Sequence, residues 1–457
     1  MSLKELPTLT SRGGLGGALR FKRDQLGFLA AGVRHHGDLF RFRLLGVPMV
    51  LANRPDHIRH ILVDEDDRYD KDTIIFKVVR PVLRNGLIAV ADRELWRRQR
   101  RMMAPLFTPR TIAGFARNMT DETERMLARW ERRRQADEAL LDVTDEIGQL
   151  ALRVVNRSLF SADVSRAAQE FERAFGTANS ILGSFFRFPF PPLSVPTPRH
   201  HRLRQAIDHM DRFVSDMINK RLGEEETTGV PGTPADLLTL LLRSVDEEDG
   251  TGMEAEQLHH EVLNICIGAY ETTTNALSWG LYLLARHPEV EGRLHDEVDR
   301  VLGGRIPQFE DLPRLVYTRM IIDETLRLYS PAYQTMRHAR EEDAIAGYRI
   351  PAGSNILINS YLLHRHPEFW PEPERFAPDN FAPERVSVRP KHAYIPFGSG
   401  PRVCIGKHFA LAELTLALAM VARRHRLVLP EDARKVEPEP LITLHPRGGI
   451  HLRLVCR

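Results

Sequence analysis

The chain has 457 residues, 42% of them hydrophobic and 27% charged, with 64 basic residues against 61 acidic ones. This is the balance of an ordinary globular protein, which excludes a disordered or membrane-embedded chain, and a formal net charge of +3 excludes a globally basic nucleic-acid-binding surface. Three cysteines, Cys266, Cys404 and Cys456, are too few and too scattered for a disulfide framework or a tetrahedral zinc site.

Residues 1–27 carry Arg12, Arg20, Lys22 and Arg23 among glycines, with no apolar stretch long enough for a signal segment or a membrane span, so a cytoplasmic protein is expected. Strand-like runs lie at 39–50, 348–359 and 442–454. Apolar residues at three- and four-residue spacing predict helices at roughly 111–135, 140–159, 163–181, 200–222, 254–286, 289–302, 316–329 and 406–424. The pattern predicts a mainly α fold with small peripheral β-sheets. A single domain spanning 1–457 is expected, with a β-rich part at about 30–65, a helical body at about 90–430 and a β hairpin at about 440–455. Between these elements, 184–198 is proline-rich yet aromatic and reads as a loop lying over something apolar. Residues 223–234 read as a flexible connection, and 367–390 as an irregular coil held by something other than a ladder.

Taken in chain order, four segments carry candidate chemistry. Trp96 and Arg100 fall one turn apart on one side of a basic helix, with Arg97 and Arg101 on another. Gly268-Ala269-Tyr270-Glu271-Thr272-Thr273-Thr274 lies inside a long, proline-free helix, where small residues admit a flat ligand near the backbone. Just upstream, His259-His260-Glu261 lacks the second histidine of a metalloprotease pattern and reads as ordinary helix. Glu324 and Arg327 stand three apart on one helix face. The sharpest signal is Phe397-Gly398-Ser399-Gly400-Pro401-Arg402-Val403-Cys404-Ile405-Gly406. Three glycines and a proline force a tight backbone there, and a helix N-terminus and Arg402 favour a thiolate at Cys404.

That run resembles the haem-binding loop of the cytochrome P450 family, and the other segments occur in the family's order over nearly the whole chain. The resemblance implies that Cys404 binds the iron of haem b, with Phe397 packed beside the sulfur and Arg402 paired with a propionate. It assigns Trp96, Arg100 and Arg337 to propionate contacts, and places Ala269 and Gly406 against the cofactor. Glu271 and Thr272 become the proton-delivery pair for dioxygen. Glu324 and Arg327 join Arg375, from Pro373-Glu374-Arg375-Phe376, in a buried triad that pins the irregular coil. The lining of a hydrophobic substrate pocket would be Ile74, Ile75, Phe76, Leu87, Phe185, Phe188, Ile265, Ala332, Tyr333, Leu441 and Ile442, together with Ala269.

The implied function is a haem-thiolate monooxygenase acting on a hydrophobic small molecule such as a terpenoid, a fatty-acid-like compound or another secondary metabolite. The chain ends about fifty residues beyond Cys404, so no fused reductase is expected, and electrons would come from a ferredoxin or flavodoxin with its reductase. Arg97, Arg98 and Arg101 offer a docking patch for an acidic donor, with plain solvated charge as the equal alternative. A peroxide-driven haem enzyme and a non-catalytic haem sensor or carrier stand as alternatives; the acid–alcohol pair argues against both.

Overall fold

A helix that is apolar on every side must lie inside the protein. The long segment around residue 270 does so: it forms one helix, Ala255–Arg286, in which residues 273–284 are buried without exception. The computed structural model describes residues 3–9, 14–44, 46–160, 165–187, 193–228 and 236–457. Numbered in chain order, its helices of ten residues or more are α1 Gly14–Arg23, α2 Gln25–His36, α3 Ile74–Leu83, α4 Arg93–Met103, α5 Pro109–Gln135, α6 Val143–Phe160, α7 Ser165–Arg187, α8 Pro198–Thr228, α9 Ala255–Arg286, α10 Pro288–Leu302, α11 Val316–Leu328 and α12 Lys407–Arg424.

The helices predicted from spacing are all present, and α7 and α8 run further than expected, to Arg187 and Thr228. The aromatic loop therefore starts later than 184, and residues 188–192, including Phe188, lie outside the described residues. Two helices near the N-terminus were not anticipated. Glycines in GLGGALRFKR and QLGFLAAGVRHH lower intrinsic propensity, and α2 is fixed instead by Asp24, whose side chain accepts the Gly27 N–H. The basic segment forms α4 behind an Asp92 cap that accepts the Leu95 N–H at 2.8 Å. It buries Trp96, Gln99, Met102 and Met103.

The main sheet has five strands in the order β1 Leu39–Leu44, β2 Val47–Ala52, β5 Asn355–Asn359, β4 Gln334–Ala339 and β3 Tyr69–Asp70, labelled along the chain. Strands β1 and β2 pair antiparallel from Leu39↔Ala52 to Leu44↔Val47, and β2 runs parallel to β5. Period-2 alternation divides the strand residues between two clusters. Phe40, Phe42, Leu51, Met336 and Leu357 share one, and Leu39, Val50, Ala52, Ile356 and Ile358 the other. Strand β5 is buried along its whole length, as a central strand covered on both faces should be. A C-terminal hairpin, β6 Pro438–Pro440 with β7 Leu444–Pro446, reaches back to α9, where Trp279 Nε1 donates to the Leu444 carbonyl at 3.3 Å. No described helix is long and apolar enough to cross a membrane.

Candidate active site

The loop before α12 is shaped by glycine. Gly398 and Gly400 hold φ of 73° and 72°, and at Gly400 a Cβ would also overlap the Leu62 carbonyl, so no other residue fits. The Cys404 N–H closes the turn on the Phe397 carbonyl at 2.9 Å, and the Val403 N–H on Gly400 at 3.1 Å. Phe397 is partly buried against the main core. Gly406 precedes α12, and even a Cβ placed there would stand 4.0 Å from Cys404 Sγ. Cys404 keeps accessible surface, yet the protein packed around it desolvates the thiol and pushes its pKa up. The Gly406 N–H and the charges of Arg100 and Lys407 pull the other way. Support for a thiolate thus comes from the Gly406 N–H at the helix N-terminus, as the sequence suggested, and from Arg100 and Lys407 in place of Arg402.

Arg402 belongs to a different feature. Its Nη1 donates to the Val90 carbonyl at 3.0 Å, and its guanidinium lies 4.4 Å from the centre of the buried Trp96 ring. Arg337, on β4, is also buried and donates to Thr335 Oγ1 and the Met336 carbonyl. A third cation, Lys71, is buried beside them, with Nζ 2.7 Å from the Ile88 carbonyl and 4.8 Å from the centre of the Phe76 ring. Burial lowers the pKa of all three and of Arg100. Mutual repulsion lowers it further for Lys71 and Arg402, leaving Arg337 at about 10 and Arg402 at about 9. Asp66 and Asp70 offset part of this for Arg337 and Arg402, but among the described residues none of the four forms an ion pair, and desolvated cations without a paired anion are strongly unfavourable. The cluster therefore fits a group that brings its own carboxylates. Sequence reasoning missed Lys71, because Tyr69-Asp70-Lys71-Asp72 reads as a solvated turn.

Above this cluster runs α9. A Cβ on Gly268 would meet Ile88 Cδ1 at 3.5 Å, which ties the loop holding Lys71 to the middle of the long helix. Thr272 donates its hydroxyl to the Gly268 carbonyl at 2.6 Å. Glu271 is 3% exposed, and its Oε1 meets Asn179 Nδ2 at 2.9 Å, Thr443 Oγ1 at 2.6 Å, Asn275 Nδ2 at 3.3 Å and His445 Nε2 at 2.5 Å. Burial opposes ionisation of Glu271, but the charge and hydrogen bond of His445, with the Thr443 and Asn275 bonds, outweigh it, and the carboxyl sits below its usual value. Glu261, by contrast, is buried with one hydrogen bond, from the Leu87 N–H, and is pushed up to about 8.

Of the expected pocket residues, Ile74, Ile75, Ile265, Ala269, Leu441 and Ile442 are partly buried and Ala332 is exposed, so they keep surface for a ligand. Four others do not fit that role well. Tyr333 is fully buried and its hydroxyl donates to the Leu441 carbonyl at 3.0 Å. Phe185 packs in the core beside His200, while Phe76 and Leu87 are buried in the same core. Leu87, the residue expected to line the pocket, is 9% exposed, while its neighbour Ile88 is 37% exposed and lies against Gly268.

The triad is also corrected. Glu324 and Arg327 are both wholly buried and joined by two bonds of 2.7 and 2.8 Å. Arg375 contributes only its carbonyl to Arg327, and its side chain turns outward to Glu372. Asn380 takes its place, donating Nδ2 to Glu324 Oε1 at 3.0 Å, while Arg389 lies 3.8 Å from the centre of the Trp370 ring and donates to the Asn380 carbonyl. On α4, the expected docking patch is already neutralised within the chain. Arg97 pairs with Glu94, and Arg98 and Arg101 pair with Asp246, Glu248 and Asp249.

Comparison with known proteins bears on this arrangement. The family model described as Cytochrome P450 matches residues 16–453. The chain is 36% identical over 434 residues to a cyclooctatin synthase from Streptomyces melanosporofaciens, covering 94% of this chain and 91% of that one. It is 35% identical to a pentalenene oxygenase from Streptomyces avermitilis, covering 97% and 95%. Among solved structures, the cytochrome P450DA heme domain superposes with a TM-score of 0.87 at 26% identity, covering 100% of this chain and 99% of that one.

Proposed function

The chain belongs to the cytochrome P450 family and is a monooxygenase of that family, and from that premise we propose that it holds haem b through Cys404 and oxygenates a terpenoid or similar apolar skeleton. The observation that carries the reading is the cluster of Lys71, Arg100, Arg337 and Arg402 beside the Cys404 loop, the first and third buried and the other two half-buried, none of them in an ion pair among the described residues. Those four cations would bind the propionates, with Trp96 packed under Arg402. Phe397 would pack beside the sulfur, and the small residues Gly268 and Ala269 would leave room for the cofactor. When bound, the haem supplies dioxygen activation, promoted by electron donation from a thiolate ligand.

The chain's own groups then manage substrate and protons. Ile74, Ile75, Ile88, Ile265, Ala332, Leu441 and Ile442 keep apolar surface that would suit a hydrocarbon skeleton. The relatives named for cyclooctatin and pentalenene support a terpenoid over a charged metabolite. Thr272 keeps lone pairs free to accept a hydrogen bond while its proton rests on Gly268, and Glu271 supplies the exchangeable proton behind it. Electrons come from a separate ferredoxin or flavodoxin with its reductase. Its docking would use a surface other than the arginines of α4, which are already paired.

Holoprotein reconstituted with ferredoxin, its reductase and NADPH should convert pentalenene or a similar cyclic terpene to a product heavier by one oxygen atom, and the ligand should shift the Soret band. Product formed with hydrogen peroxide alone, and none with the electron donor, would replace this reading with the peroxide-driven one. In the same assay Thr272→Ala should keep ligand binding and the CO spectrum. Product per NADPH should fall, because a positioned proton donor contributes roughly 10²–10⁴ to the rate of such steps and its loss lets release of peroxide compete. An unchanged ratio would move proton delivery to another group, with Thr273 next in line.

A further inference from the structure

Glu271 is too deep to exchange protons with water unaided, so whatever connects it to the surface decides how the site is supplied. We propose that His445 is the solvent-side member of the relay, taking a proton from water and passing it through Nε2 to Glu271 Oε1. This rests on the reading of Glu271 and Thr272 as the proton-delivery pair.

The geometry is specific. His445 Nε2 lies 2.5 Å from Glu271 Oε1, and the His445 side chain is 25% exposed while that of Glu271 is 4% exposed. One imidazole thus touches both the buried acid and the outside. Its position is not a loop accident. Leu444, fully buried, is tied on one side to Trp279 of α9 and on the other to the Pro331 carbonyl, and Glu439↔His445 pairing fixes the next residue in register. Thr443, from the turn of the same hairpin, and Asn179, from α7, also hold the accepting oxygen.

Two charged groups face the imidazole, Glu271 from α9 and Glu439 from β6; together they outweigh burial and raise its pKa above 6.5. Glu271 also lies within electrostatic reach of Glu172, which accepts the Tyr270 hydroxyl at 3.0 Å and feels Asp145 as well. Each turnover of a monooxygenase consumes two protons with two electrons, oxygen leaving as water and as the inserted atom. Donor protein and NADPH supply the electrons, and the ionised Glu271 relays a proton that it takes from His445, which is reprotonated by solvent.

The test compares wild type with His445→Gln, whose amide can still donate to Glu271 but cannot carry a proton. In the reconstituted system with pentalenene, kcat for NADPH-driven oxygen consumption should fall by about tenfold in the variant. The solvent deuterium isotope effect should rise, and the pentalenene-induced Soret shift should keep its Kd. The wild-type rate should decline as pH climbs through a pKa above 6.5, and that limb should be absent in the variant. Independently of turnover, histidine-selective NMR of the diamagnetic, reduced CO-bound protein should show His445 titrating above 6.5 in wild type and lower in Glu271→Gln. An unchanged kcat and isotope effect with a lowered melting temperature would make His445 only an anchor for the hairpin and overturn the proposal, as would an unraised His445 titration should the variant fail to load haem. If Thr272→Ala and Glu271→Gln are also without effect, the proton-delivery reading itself has failed; if only His445→Gln is silent, this inference alone has.

Discussion

Cys404→Ser should abolish the long-wavelength Soret band of the reduced, CO-bound protein while leaving the fold intact. Serine is nearly isosteric, and the backbone bonds that shape the loop, from Cys404 N to Phe397 O and from Val403 N to Gly400 O, do not involve the side chain. What changes is the ligand atom: a serine hydroxyl is far less acidic than a thiol and donates less electron density. The other cysteines make internal controls. Cys266 is buried in α9 and its thiol is pushed up to about 12 by burial, so it stays a neutral core residue. Cys456 is exposed near the C-terminus. Cys266→Ala and Cys456→Ser should both keep the band. Persistence of the band in Cys404→Ser, or its loss in either control, would remove Cys404 from the iron.

The helical body and the cysteine loop were legible in the sequence because each rests on a local rule. Periodicity placed α9 within a residue of its observed ends, and the glycines of 398–400 announced a backbone that only glycine adopts. Features set by contacts between distant segments were not legible. Lys71 sits among aspartates in a segment that looks solvated, and only the fold shows it buried against Arg337 and Arg402. His445 lies 174 residues from the acid it touches. Ile88 was missed for a different reason: in an irregular loop no period fixes which of two adjacent side chains turns inward, and the Leu87 N–H bond to Glu261 settles it.

Glu324→Ala should leave little or no haem-loaded protein, whereas Arg375→Ala should be close to neutral. Arg327, wholly buried, donates to the carbonyls of His364, Pro373 and Arg375 as well as to Glu324. Glu324 in turn accepts from the Ala377 N–H and from Asn380. These bonds, and not a strand ladder, hold 364–380 against α11. Removing the carboxylate strands a guanidinium in the core, a loss of about 3–5 kcal/mol set against a total stability of roughly 5–15 kcal/mol. The Arg375 side chain is 65% exposed and pairs with an equally exposed Glu372, an interaction worth about 0–1 kcal/mol. The sequence pattern pointed to Arg375 because Pro373-Glu374-Arg375-Phe376 comes first. The same spacing recurs in Pro378-Asp379-Asn380-Phe381, and it is this second copy that reaches Glu324. Asn380→Ala should therefore fall between the two, losing one hydrogen bond to a charged group, about 1.5–3 kcal/mol. Haem content per polypeptide and the urea midpoint rank the three variants. Equal damage from Arg375→Ala and Glu324→Ala would return the arginine to the triad, and a wild-type midpoint for Glu324→Ala would show that the coil is held without it.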